Sequence, residues 1–179
     1  MKVRIISGEF GGRLIDTPTR RSTHVMGDRV RSGLFNMIDV AGAVVLDAFA
    51  GSGALGLEAI SRGAKTVIFV EKDRAAARTV VKNTTLFDIS KKTQVTNTTV
   101  ENWMATTDEK ATNFDIIFAD PPYHKPQFST TAKLARYLKP NGLMILSISA
   151  RVSIPTVEGV VVVDKREYGE ANLIFYQRV

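Results

Sequence analysis

The sequence predicts an α/β fold, a mostly parallel twisted sheet covered by helices on both faces. Three observations carry this reading. From Val44 onward, short apolar runs alternate with longer amphipathic segments, the pattern of repeated strand–helix units. The first run is joined to the first amphipathic segment by Gly51-Ser52-Gly53-Ala54-Leu55-Gly56. A later run, 114–119, stops abruptly at Asp120-Pro121-Pro122-Tyr123, because two prolines cannot continue a strand ladder. Together these describe a Rossmann-like architecture, in which ligands gather at the carboxyl ends of the strands.

Taken in order, residues 1–40 form an N-terminal extension and 41–179 the main domain. The extension begins with a hairpin over 3–7 and 13–16, turned by Gly8 and Gly11-Gly12. A basic loop follows, then a helix over 28–38 with Val30, Leu34 and Ile38 at four-residue spacing on one face. In the main domain, strands are predicted at 44–48, 66–70, 93–97, 114–119 and 142–147. Helices fall near 54–62, 73–87, 99–105 and 127–138. The end of the chain differs. Segments 160–165 and 173–177, separated by Tyr168-Gly169-Glu170, read as an antiparallel hairpin appended to the sheet. Phe35, Phe49, Phe69, Phe87, Phe114 and Phe118 follow the element periodicity and read as core, as does Trp103.

Composition bounds the function. A chain of 179 residues with 44% hydrophobic and 23% charged content is that of a globular protein with a proper core. No apolar stretch approaches the ~20 residues of a membrane span, and the N-terminus lacks a signal-peptide pattern, so no membrane partner is expected. Cysteine is absent, which excludes disulfides and thiolate metal sites and fits a cytoplasmic location. His24 and His124 lie far apart, so no metal is expected either. The net charge of +6 and pI near 9.7 favour a polyanionic partner. Basic residues crowd the start: Lys2, Arg4, Arg13, Arg20, Arg21, Arg29 and Arg31 are opposed only by Glu9, Asp16 and Asp28.

Two motifs carry chemistry. Gly51, Gly53 and Gly56 match Gly-x-Gly-x-x-Gly between strand and helix, which alone would suit a dinucleotide pyrophosphate at a helix N-terminus. Glu71, closing the next strand 71 − 51 = 20 residues later, stands where a ribose-hydroxyl acceptor is expected. Asp47 decides between cofactors. A carboxylate before the glycines repels a pyrophosphate but favours the ammonium and sulfonium of S-adenosylmethionine. The second motif, Asp120-Pro121-Pro122-Tyr123, holds a carboxylate, a carbonyl and an aromatic ring on a stiff turn. These groups suit a flat base bearing an exocyclic amine. The lone pair of such an amine is delocalised into its ring. Accepting its two N–H bonds at the Asp120 carboxylate and the Pro121 carbonyl draws the nitrogen toward a tetrahedral, nucleophilic geometry. Tyr123 stacks on the base, and Asp120 is the candidate proton acceptor.

These motifs by themselves leave several activities open: methylation of guanine N2, of adenine N6 in DNA or RNA, or of a protein glutamine, and an RNA-binding assembly factor without turnover. A dehydrogenase is disfavoured by Asp47 and the proline motif.

The chain resembles the RsmD family of bacterial methyltransferases, which methylate the exocyclic N2 of one guanine in 16S ribosomal RNA. The resemblance spans nearly the whole chain. It rests on Arg4-Ile5-Ile6-Ser7-Gly8-Glu9-Phe10-Gly11-Gly12-Arg13, on Asp28-Arg29-Val30-Arg31 leading into Leu34-Phe35-Asn36, and on Leu46 through Glu58. Phe69-Val70-Glu71-Lys72-Asp73 and Asp120-Pro121-Pro122-Tyr123 complete it. Some positions depart from the family pattern: His24-Val25-Met26-Gly27 stands in place of Arg-Pro-Thr-Thr, Ser32 in place of Glu, and Thr98-Thr99 where an Asp or Asn commonly meets adenine.

The resemblance implies a class I S-adenosylmethionine-dependent methyltransferase acting, by default as a monomer, on 16S ribosomal RNA in the small subunit or its assembly intermediate. It places Asp47, Phe49, Ala50, Gly51, Ser52, Gly53, Glu71, Lys72, Thr98, Thr99 and Asp120 against the cofactor. Asp120, Pro121, Pro122 and Tyr123 would meet the target base. The extension would contact RNA phosphates through Arg4, Arg13, Arg20, Arg21, Arg29 and Arg31.

Overall fold

The computed structural model describes residues 2–18, 26–110 and 112–179. Its first elements are a hairpin of β1 (Lys2–Arg4) and β2 (Leu14–Asp16), then helix α1 (Asp28–Phe35). The alternating region follows as β3 (Val44–Asp47), α2 (Ala54–Ser61), β4 (Thr66–Val70), α3 (Arg74–Leu86), β5 (Thr93–Thr96), α4 (Val100–Thr106), β6 (Phe114–Ala119), α5 (Phe128–Leu134) and β7 (Leu138–Ser149). The chain closes with β8 (Val160–Tyr168) and β9 (Ala171–Arg178).

The main sheet has seven strands in the order β5-β4-β3-β6-β7-β9-β8. Strands β5 through β7 pair in parallel, and β9 pairs antiparallel with both β7 and β8. The order runs outward from β3 in one direction and from β6 in the other, so their junction is the topological switch point.

Successive residues of a central strand feed two cores, because side chains alternate across a sheet. Val45, Ile116 and Phe118 pack on one face with α1, α2 and α3, while Leu46, Ile117 and Leu146 pack on the other with Trp103, Leu134 and Tyr137. Trp103 is buried against Phe114 and Tyr137, with ring centroids 6.1 and 5.1 Å away, and so belongs to the core as its periodicity predicts.

The extension shares the first core through Ile5, Phe10, Ile15, Leu34 and Phe35. Polar groups fix it in place. The fully buried Glu58 of α2 accepts the backbone N–H of Ile6 at 2.7 Å and of Ser7 at 3.1 Å, and also Arg62 Nε at 2.7 Å. Ser61 Oγ donates to the Ser7 carbonyl and accepts the Phe10 N–H. Gly8 has φ +82, and a Cβ there would lie 1.9 Å from the Ser61 carbonyl oxygen; only glycine passes so close. Asn83 of α3 completes the seam, accepting the Asp16 N–H and donating to the Asp16 carbonyl, both at 3.0 Å.

Element boundaries differ from expectation in two instructive places. Helix α1 ends three residues early because its last turn tightens, Met37 N–H donating to Leu34 O only three residues back. Strand β7 begins four residues early: the chain continues through Pro140-Asn141-Gly142, with a register irregularity opposite Phe114 and Ile116. Turn-forming residues here make a bulge within a strand rather than an end to it.

Candidate active site at the switch point

Four strands deliver polar residues to one edge of the sheet. Asp47 is the last residue of β3, and Asp120 follows β6 directly. These strands are hydrogen-bonded neighbours, with Asp47 in register with Phe118. Glu71 follows β4, and Thr98 and Thr99 follow β5. Backbone bonds from Ala48 to Phe118 O, Ala50 to Val70 O and Glu71 to Thr96 O carry the ladder past the strand ends and pin the loops.

The result is a cavity of about 840 Å³, within the range of small-molecule and cofactor sites. Asp47, Phe49, Ala50, Gly51 and Ser52 line it, as do Glu71, Lys72, Thr98 and Thr99, and also Asp120, Pro121, Pro122 and Tyr123. Gly53 stands apart. It takes a left-handed conformation at the N-cap of α2, where a Cβ would press on Val80 and Phe69, and it lies outside the lining.

Asp47 is 2% exposed, and its Oδ2 accepts the Gly56 N–H from the first turn of α2 at 3.0 Å. Burial nonetheless pushes its carboxyl up to about 7, against the lowering effect of the Gly56 bond, with the negative charges of Asp120 and Glu71 adding to the rise. Glu71 accepts the N–H of Gly51 at 2.8 Å through Oε2 and of Asp73 at 2.7 Å through Oε1. Each carboxylate oxygen can accept a further hydrogen. Asp47, Glu71, Asp73, Glu101 and Asp120 all line the cavity, against Lys72 and Lys125, and this excess of carboxylates is relieved by a cationic ligand. That donor set fits the ammonium and sulfonium of S-adenosylmethionine and opposes a pyrophosphate.

In the proline turn after β6, Pro121 is buried and Asp120, Pro122 and Tyr123 are half-buried. Lys125 N–H donates to the Pro122 carbonyl at 2.8 Å, closing a turn, whereas among the described residues the Pro121 carbonyl accepts no hydrogen bond. The Tyr123 hydroxyl lies 2.8 Å from Ser147 Oγ at the end of β7, which fixes the direction of the ring, and burial raises its pKa.

A family model described as Conserved hypothetical protein 95 matches residues 3–177. Several curated relatives bear the name Ribosomal RNA small subunit methyltransferase D. The Escherichia coli (strain K12) protein is 34% identical over 161 residues, spanning 87% of this chain and 79% of its own length. The Haemophilus influenzae protein is 33% identical over 182 residues, spanning 98% of this chain and 94% of its own. The chain belongs to the RsmD family. A solved structure, yhhF from Escherichia coli, matches with a TM-score of 0.89 at 31% identity over 99% of this chain and 98% of that one.

In this RsmD-family chain the basic residues divide. Arg4, Arg13 and Arg29 are exposed, Arg13 lying 4.3 Å above the Phe87 ring, which stacks on Phe10. Arg31 corrects the expectation of a nucleic-acid contact. It is fully buried, donating to the Arg4 carbonyl and to Asp28 Oδ1, both at 2.7 Å, so it is spent joining α1 to the hairpin and faces no solvent. Arg20, Arg21 and His24 lie outside the described residues.

Residues that belong to neither motif also meet the cavity. Pro18 and Met26 bring the extension to its rim. Glu101 of α4 lines it while accepting the Thr130 hydroxyl at 2.7 Å. Ser147 carries a signal, a polar residue inside an apolar strand, but a partner 24 positions away is not readable from sequence. Thr99 spends its hydroxyl on the N-cap of α4, accepting Asn102 N–H.

Proposed function

We propose that this chain transfers a methyl group from S-adenosylmethionine to the exocyclic N2 amine of a guanine in 16S ribosomal RNA of the small subunit. The observation that carries the reading is the pairing of β3 with β6, which brings Asp47 beside the glycine loop and Asp120 at the proline turn to adjacent strand ends lining one cavity.

Asp47 would hold the cationic methionine end, and Glu71 the ribose hydroxyls. Bound there, S-adenosylmethionine would supply an electrophilic methyl carbon, its sulfonium sulfur being the leaving group that keeps the C–S electron pair when the amine nitrogen gains the methyl. Asp120 Oδ and the Pro121 carbonyl accept the amine hydrogens and turn the nitrogen lone pair toward that carbon. The amine then loses one proton, which passes to Asp120 directly or through water. Tyr123, its hydroxyl tied to Ser147, supplies a ring face on which the base stacks. Little acid–base chemistry is needed, so positioning supplies most of the acceleration. The N-terminal extension, residues 1–40, provides RNA contacts through Arg4, Arg13 and Arg29.

The test is Asp120→Ala. Methyl transfer to small-subunit RNA is expected to fall by three orders of magnitude or more while S-adenosylmethionine binding, followed by calorimetry, stays within a few-fold. Retained transfer would remove Asp120 from the site.

A further inference from the structure

Arg74, Arg78 and Lys82 stand at four-residue intervals along α3, and all three are exposed. Each interval advances a helix by about 6 Å, so they form a ridge roughly 12 Å long on its outer face. No carboxylate interrupts it within α3. Beyond the helix the chain adds the exposed Lys91 and Lys92 against Asp88 alone.

The fold gains nothing from this arrangement. Like charges four residues apart oppose helix formation, and Arg74 occupies the first helical position, at the positive end of the macrodipole. Only Lys82 has an acidic partner among the described residues, Asp16 at 2.6 Å, in a pair whose lysine side chain is 72% exposed; such pairs contribute little. Helix α3 is secured instead by its buried face of Ala76, Ala77 and Val80 and by the Asp73 N-cap, which accepts Ala75 and Ala76 N–H.

Both ends of the ridge meet something functional. At its start, Asp73, Ala75 and Ala76 line the cavity. At its finish, Lys82 reaches β2, and Phe87 lies under the exposed Arg13 guanidinium. A row of cations thus leads from the cavity mouth to the N-terminal hairpin, over the roughly 20 Å length of a 13-residue helix.

We propose that the outer face of α3 is a phosphate track, with Arg74 and Arg78 holding the RNA backbone between the cavity and Arg13. This rests on the reading of RNA as substrate and adds a surface outside the N-terminal extension. Contacts of this kind carry affinity and register without reading sequence.

The test is the double variant Arg74→Gln/Arg78→Gln, glutamine being a comparably good helix former. A naked small-subunit rRNA hairpin, labelled for anisotropy, is titrated across a salt series, and S-adenosylmethionine affinity is measured in parallel. The double variant is expected to bind cofactor as wild type does, to lose RNA affinity at low salt, and to show a shallower dependence of log affinity on log salt by about 0.7–0.9 per cation removed. Its KM for RNA should rise while kcat at saturating RNA is kept. Equal affinity and equal slope in a variant that still binds cofactor would overturn the track alone. A wild-type protein that binds neither the hairpin nor assembled small ribosomal subunits would overturn the track and the functional reading together.

Discussion

The Asp47 carboxylate accepts the Gly56 backbone N–H at 3.0 Å while 2% exposed, locking the end of β3 to the first turn of α2. One bond and a helix terminus do not offset its loss of water, so the group rests near 7 rather than 3.8. Its folded pKa is raised, so the folded state holds a proton that the unfolded state has released between those values. The stability this confers is fully present below about 4 and lost as pH rises through about 7. At about 1.4 kcal/mol per tenfold change in acidity, the ionised group costs the ligand-free protein roughly 4 kcal/mol at most.

A thermal-unfolding series therefore separates Asp47→Asn from wild type by pH. The variant should match wild type near pH 4 and exceed it in stability at pH 8 without ligand. Wild-type affinity for S-adenosylmethionine should rise toward a plateau above pH 7. Calorimetry in two buffers of different ionisation enthalpy at pH 6 should detect proton release on binding. The Asn variant should bind about 10–100-fold more weakly at pH 8, having lost a charged partner worth roughly 1.5–3 kcal/mol. A wild-type affinity that is flat from pH 6 to 8 contradicts this.

Glu71 is already engaged with Gly51 and Asp73 N–H groups. Replacing it with Ala leaves both donors without their acceptor and removes the proposed ribose contact. Cofactor affinity should drop at least tenfold with kcat at saturation much less affected. An unchanged dissociation constant would remove Glu71 from the cofactor site.

Tyr123 separates into ring and hydroxyl. Tyr123→Phe keeps the stacking surface and loses the Ser147 bond, about 1 kcal/mol, so methylation should fall only a few-fold, as it should in Ser147→Ala. Tyr123→Ala would remove the proposed base stacking, worth about 1–3 kcal/mol per base, and its KM for RNA should rise well beyond that of Phe. Equal behaviour of Phe and Ala would assign the residue to structure alone.

Glu58 is buried under the extension, and its removal strands the N–H groups of Ile6 and Ser7 and the partner charge of Arg62. Glu58→Ala should destabilise the chain by about 3 kcal/mol and make residues 2–18 sensitive to limited proteolysis before the rest unfolds. Intact protection of that segment would show that apolar packing alone docks it.

Much of the fold and the site is legible in the amino-acid sequence. The runs around Val45, Val67 and Ile116 are apolar on both strand faces, which only a doubly covered sheet explains, and the glycines and prolines mark where β3 and β6 stop. The acidic residues that close β3, β4 and β6 then fall on one edge. What stays hidden depends on tertiary partners. Arg31 reads as surface charge until α1 lands on the hairpin. Ser147 acquires its role from Tyr123, and the Ile6-Ser7-Gly8 stretch, which reads as part of an RNA-contacting hairpin, is fitted to Glu58 and Ser61. The cations of α3 are spaced too regularly to stand out by composition; helical geometry aligns them.

The central claim is tested most directly by offering labelled S-adenosylmethionine with small ribosomal subunits, assembled and naked, and mapping the modified nucleotide. Label on the exocyclic N2 of a single guanine in 16S rRNA, absent with Asp120→Ala, is the expected result. Label on adenine, on DNA or on protein, or transfer that survives loss of Asp120, would contradict the account.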